Sequence, residues 1–112
     1  MSVALKTNET VTVLRLSGHL TLGDMEGVLR TMMDAVIKNN TYIILNFRNV
    51  THVSLNGISK LADRNLRVRS LGGEIKLVGL NAYVTNLFKL VGAYGSFDVS
   101  VSEEDALARF ES

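Results

Sequence analysis

The chain has 112 residues, with twelve Lys and Arg against eleven Asp and Glu, and no cysteine. This length predicts one domain, 1–112, with a single core. A net charge of +1 argues against a dedicated nucleic-acid binder, which is usually strongly basic. The absence of cysteine excludes disulfides, thiolate metal sites and thiol catalysis. Apolar runs are far shorter than the ~20 residues that span a bilayer, and no signal peptide is visible, so we expect a cytoplasmic domain without membrane insertion.

The first predicted elements are a short strand over 3–6 and a longer strand over 11–17, joined by a polar hairpin connection at 7–10. The longer strand is indicated by alternating side chains. A period of three to four residues then predicts a helix, capped by Thr21 with Asp24 and ended by Asn39 and Asn40. The predicted buried stripe of this helix is Met25, Val28, Leu29, Met32, Val36 and Ile37.

An almost entirely apolar run at 42–47 predicts a strand that is covered on both faces. A polar loop at 48–52 then leads to a second helix, which Gly72 and Gly73 end. The predicted buried stripe of the second helix is Leu55, Ile58, Leu61, Ala62 and Leu66.

The last third of the chain predicts a strand over 74–78, a helix capped by Asn81, a short strand over 97–101 and a final helix capped by Ser102 with Asp105. The third helix has the predicted stripe Val84, Leu87, Phe88 and Val91. The resulting order is ββαβαβαβα. It predicts an α/β fold, a mixed and mostly parallel sheet of about five strands with about four helices.

Residues that usually carry out catalysis are sparse. His19 and His52 stand alone in predicted loops or strand ends, where solvated side chains are more common than bases or ligands. No histidine or carboxylate spacing suits a metal, and no phosphate-binding glycine loop occurs. The acids at 103–105 suggest a cation site or, more simply, a favourable first turn of a helix. We therefore expect no metal and no cofactor.

The most informative segment is 52–58, which places small polar residues at the start of the second helix. Free N–H groups there favour a phosphate or carboxylate, although Ser54 could be only an N-cap. Farther along the same helix, Lys60, Arg64 and Arg67 share one face. That face is either solvated, with an Asp63–Arg67 ion pair, or a docking surface for an acidic partner.

The whole pattern resembles the STAS domain, the fold of bacterial anti-sigma-factor antagonists. The resemblance rests on the order and spacing of several short segments rather than on one motif. These segments are 13–20 (VLRLSGHL), 43–53 (IILNFRNVTHV), 57–58, 73–80 (GEIKLVGL), 87–92 (LFKLVG) and 97–99.

The resemblance implies a non-catalytic regulator that binds an anti-sigma factor or switch-type serine kinase. In such domains a Ser or Thr of an Asp-Ser-Ser-Gly-Leu-like motif is phosphorylated by that kinase. Aligning Gly57 and Ile58 on Gly-Leu places Ser54 at the Asp position, Leu55 at the phosphorylated Ser and Asn56 at the next Ser. Leu55 has no hydroxyl, so the usual switch is absent at that position. The first loop also departs from the family, with Thr21 where Asp is frequent.

The expected partner-binding residues are Ser54, Leu55, Asn56, Gly57, Lys60 and Arg64. Ser54 and Ser59 are candidate phosphorylation sites, or simply a cap and a surface serine. One alternative function is a scaffold or accessory STAS subunit of a larger regulatory or transporter assembly. A more distant one is a nucleotide-handling enzyme that uses the helix N-terminus at 54–56. Homo-oligomerisation is left open by the sequence.

Overall fold

The structure is a computed structural model that describes residues 2–7 and 11–111. Its elements follow the predicted order ββαβαβαβα. The predicted hairpin connection lies largely at 8–10, outside the described residues. The elements are β1 (Ser2–Thr7), β2 (Val11–Leu20), α1 (Leu22–Ile37), β3 (Tyr42–Val53), α2 (Leu55–Ser70), β4 (Glu74–Val78), α3 (Ala82–Leu90), a 3-10 turn (Tyr94–Ser96), β5 (Asp98–Ser100) and α4 (Glu103–Glu111).

The five strands form one sheet in the order β1-β2-β3-β4-β5. β1 is antiparallel to β2, and the other neighbouring pairs are parallel, which confirms the mixed, mostly parallel sheet. Right-handed crossovers between strands that are adjacent in sequence place successive helices on the same face. Accordingly, α1, α2 and α3 cover one face over the main core, while α4 covers a smaller core on the other face.

The predicted helix ends are confirmed. Thr21 and Asp24 form a reciprocal capping box, and Asn81 and Ser102 accept the backbone N–H groups of Val84 and Asp105. Asn39 and Gly72 take the left-handed conformation after α1 and α2, with φ of 71° and 82°. Local sequence therefore determines where the helices begin and end.

The predicted loop at 48–52 is wrong, because β3 continues as a strand to Val53. Up to Asn46, β3 lies between β2 and β4. Beyond that point it pairs with β2 alone, with His19 opposite His52 and Leu20 opposite Val53. Because this part of β3 has a neighbouring strand on one side only, several of its side chains are exposed and can be polar. Its polar composition therefore resembles that of a loop.

The buried stripes of α1 and α2 also differ from the prediction. Ile37 is 80% exposed, and Leu66 is 66% exposed. In α2 the buried face instead includes Asn65 and Val68 together with Ile58 and Leu61. The Nδ2 of Asn65 donates to the carbonyl oxygen of Ser96, a contact with the distant 3-10 turn that helical periodicity does not reveal. Its Oδ1 is buried without a hydrogen-bond partner among the described residues.

Candidate docking surface

The turn between β3 and α2 is held by backbone and side-chain hydrogen bonds of Ser54. Its N–H donates to the carbonyl oxygen of Leu20 at 2.8 Å, which ties the turn to the end of β2. Its Oγ accepts the N–H of Gly57 at 3.2 Å. Ser54 is therefore an N-cap, and one of the free N–H groups at this helix start is satisfied within the chain.

The other predicted residues of the turn divide into exposed and structural ones. Leu55 is 43% exposed, and Asn56 and Ser59 are exposed too. Gly57 is buried against Met25 of α1. The turn thus exposes the side chains of Leu55 and Asn56 to solvent, while Gly57 allows α2 to pack closely on α1.

The basic face of α2 continues the exposed surface along the helix. Lys60 and Arg64 are both exposed, and Lys60 Nζ pairs with Glu26 Oε2 of α1 at 3.3 Å. The predicted Asp63–Arg67 ion pair is wrong, since these two residues form none in the described part of the chain. Lys60 of α2 therefore pairs with α1 rather than along its own helix.

Three ring side chains next to the turn were not predicted to lie together. The rings of His19 and His52 have centroids 5.4 Å apart, and those of His52 and Tyr83 are 5.0 Å apart in an edge-to-face arrangement. All three side chains are exposed. We call them the ring cluster. Each histidine stands one residue before the end of its strand, before Leu20 in β2 and before Val53 in β3. Because the carboxyl ends of parallel strands meet at one edge of the sheet, this shared position could have indicated that the two histidines lie together.

Near this edge, the carboxylate of Asp24 has a shifted pKa. The pKa of Asp24 is lowered, mainly because its carboxylate accepts the backbone N–H of Thr21, with a smaller contribution from His19. No hydrogen bond joins either imidazole to a hydroxyl or carboxylate within 11–110. Across the described residues no group of three or more histidine or acidic side chains could hold a metal ion.

The acids at 103–105 lie on the opposite face of the sheet. The Glu103 carboxylate accepts Arg15 Nε and Nη2, both at 2.8 Å, and Asn46 Nδ2 at 2.7 Å. This carboxylate therefore helps to attach α4 to the sheet. None of the helices described is both long and apolar enough to cross a membrane.

Solved structures with the same fold include several anti-sigma-factor antagonists. SpoIIAA from Bacillus, in its unphosphorylated form, superposes with a TM-score of 0.85 at 21% identity, covering 98% of this chain and 96% of its own. A Thermotoga maritima protein assigned as an anti-sigma factor antagonist gives a TM-score of 0.88 at 16% identity, covering 98% and 95%. At these identities the likeness concerns the fold.

The fold also matches part of a larger protein. The murine solute carrier 26 family member A9 anion transporter gives a TM-score of 0.72 at 23% identity, covering 92% of this chain but 18% of the transporter. A comparison with curated protein sequences found no significant match. A family model described as the STAS domain matches residues 2–106, and the chain therefore belongs to the STAS domain family.

Proposed function

We propose that this chain is a non-catalytic binding module of the antagonist type, which docks on a kinase-type anti-sigma factor in the cytoplasm. The single observation that carries the proposal is the exposure of Leu55 at the tip of a rigidly capped turn. An aliphatic side chain held there serves as an anchor, and its burial against a partner is worth about 1.5–3 kcal/mol.

The surroundings of Leu55 support the same function. The ring cluster lies beside the turn, at the ends of β2 and β3 and on the first turn of α3. Aromatic and aliphatic side chains ringed by polar ones are typical of the centres of protein interfaces. On the other side, Lys60 and Arg64 supply positive charge for orienting an acidic partner.

We further propose that the usual phosphorylation switch is absent. Leu55 cannot accept a phosphate, and Ser54 uses its hydroxyl oxygen to cap α2. Ser59 is exposed and is the more accessible of the two candidate serines. Intact-mass analysis of the protein from its source cells, followed by site mapping, tests this. A phosphate on Ser59 or Ser54 in any growth condition would restore a switch.

The docking function is tested by affinity purification with quantitative mass spectrometry, using the wild type and Leu55→Glu as paired baits. Leu66→Glu is the matched control, because Leu66 is an exposed leucine of the same helix. We expect a kinase-type anti-sigma factor to be retained by the wild type and the control. With Leu55→Glu its recovery falls at least about tenfold, the effect of losing 1.4 kcal/mol or more. Equal recovery by all three baits, or no such partner, contradicts the proposal.

A second candidate function is that of an accessory subunit in a larger assembly. The observation that favours it is the fit of this fold to a small part of an anion transporter. Size-exclusion chromatography with light scattering separates the two functions, since an obligate complex or higher homo-oligomer supports the accessory role. A nucleotide-handling activity remains the third alternative. Turnover of nucleoside triphosphates that Asn56→Ala abolishes would establish it.

A further inference from the structure

Two adjoining cavities lie between α1 and α2, and together they form a groove. Its wider part, about 740 Å³, lies toward the C-terminal ends of both helices. A narrower part of about 300 Å³ lies toward their N-terminal ends, and both parts are lined by Met33 and Arg64. We call this feature the α1–α2 groove, and its other principal residues are Arg30, Ile37, Arg67 and Leu71.

The wide end of the groove exposes apolar side chains beside charged ones. Ile37 and Leu71 are exposed, on neighbouring helices, with Met33 and Val36 beneath them. Ile37 ranks among the most exposed large apolar side chains described. Apolar side chains gathered in a concave surface mark a site for a protein partner more often than scattered ones do.

The rim of the groove carries an excess of positive charge. Four cations, Arg30, Lys60, Arg64 and Arg67, line it against two carboxylates, Glu26 and Asp63. Lys60 is paired with Glu26. The three arginines form no ion pair within 11–110, so their charge is available to an occupant.

We propose that the α1–α2 groove binds an acidic amphipathic α-helix of a protein partner. Its apolar stripe lies on Met33, Ile37 and Leu71, and its flanking carboxylates face the rim arginines. Each groove helix has 16 residues and is about 24 Å long, which accommodates about four turns of a bound helix. An amphipathic helix laid in an apolar groove is a common mode of peptide recognition.

This inference rests on the proposed function in that the chain is a protein-binding module. The groove shares Lys60 and Arg64 with the proposed docking surface, but its apolar residues Met33, Ile37 and Leu71 lie away from Leu55. Leu55 and Leu71 lie at opposite ends of α2, about 24 Å apart along the helix axis. The chain's own acidic helix is a poor occupant, because Glu103 is bonded to Arg15 and Asn46 and Ala106 is buried. A flat membrane surface does not fit a concave groove.

The test uses the full chain, labelled with ¹⁵N, and a synthetic 16-residue helix with leucine at every third or fourth position and flanking glutamates. We expect amide shifts at 30–37 and 64–71 rather than at 54–57. Ile37→Glu and Arg67→Glu each weaken binding about tenfold. Leu66→Glu and Leu55→Glu bind as the wild type does. Both groove variants change exposed side chains, so their circular dichroism and Tm should match the wild type.

Several outcomes would overturn the inference. The inference fails if the acidic peptide causes no amide shifts, or if the shifts are confined to residues 54–57. It also fails if a peptide with lysine in place of glutamate binds as tightly as the acidic one. Sedimentation with phosphatidylglycerol vesicles that Arg67→Glu abolishes would assign the groove to a membrane instead. A dimer lost in Ile37→Glu would assign it to a second copy. If Leu55→Glu still loses the anti-sigma factor while the groove binds no peptide, the proposed function stands and this inference falls.

Discussion

Gly57 of α2 packs so closely on Met25 of α1 that a Cβ at position 57 would lie 2.6 Å from Met25 Cγ and 2.8 Å from Met25 Cβ. Met25 is fully buried, and the two atoms in the contact are close to its backbone rather than at the end of the side chain. The contact holds the first turn of α2 against α1, and it thereby positions Leu55 and Asn56 at the surface.

Gly57→Ala should lower the free energy of unfolding by about 1–3 kcal/mol, because the added methyl overpacks this contact. Gly23→Ala is the matched control, since a Cβ there meets only Thr21 Oγ1, at 3.8 Å. The control should be neutral or stabilising by about 0.4–1 kcal/mol. Urea denaturation of both variants measures the difference, and equal effects would contradict the close contact.

Ser54→Ala should lower the free energy of unfolding by about 1 kcal/mol, because the N–H of Gly57 loses its acceptor. Ser54→Asp keeps a capping oxygen and adds a negative charge near the positive end of the helix, so it should retain wild-type stability. Thermal unfolding followed by circular dichroism compares the two. A neutral Ser54→Ala would show that the cap contributes little.

The stability of the chain in acid should depend on Asp98. Burial alone would raise the pKa of this carboxyl, but hydrogen bonds and charge from Lys76 and Arg109 outweigh burial and lower it. A lowered folded pKa means that the ionised group stabilises the fold above its ordinary pKa of 3.8. That stabilisation is lost as the pH falls below about 4, through the folded pKa.

In Asp98→Asn, the free energy of unfolding should therefore fall less steeply below about pH 4. At pH 7 it should be lower than in the wild type by about 2 kcal/mol, because buried Lys76 loses a charged partner. The measurement is urea denaturation across the pH range. Asp63→Asn is the control, because that carboxylate is exposed and forms no ion pair in the described part of the chain. If Asp98→Asn loses stability below about pH 4 as steeply as the wild type does, Asp98 is not the group responsible.

Two leucines of α2 should respond in opposite ways to truncation. Leu61 is fully buried, so Leu61→Ala should lower the free energy of unfolding by about 2–5 kcal/mol. Leu66 is exposed, so Leu66→Ala should change the free energy of unfolding by less than about 0.5 kcal/mol. Comparable losses in the two variants would mean that α2 is rotated relative to the orientation described.

Much of the fold could be predicted because its signals are local. Caps such as Thr21 and Asn81 act on backbone groups within three residues, and helical periodicity repeats within two turns. The capped start of α2 at Ser54 was predicted from the same kind of signal. The orientation of α2 was not, because Leu66 and Asn65 compete for the buried face. A hydrogen bond from Asn65 to Ser96, 31 residues away, belongs to the arrangement that buries Asn65.

The sequence by itself determined the length class, the balanced total charge, the order of elements and the resemblance to STAS domains. Only the tertiary structure decided which residues share a surface. It extended β3 beside β2, brought His19, His52 and Tyr83 together, and set Ile37 across from Arg67 and Leu71. The reason is physical. Backbone bonding and periodicity act over a few residues, whereas strand register and helix packing depend on contacts between residues far apart in the chain.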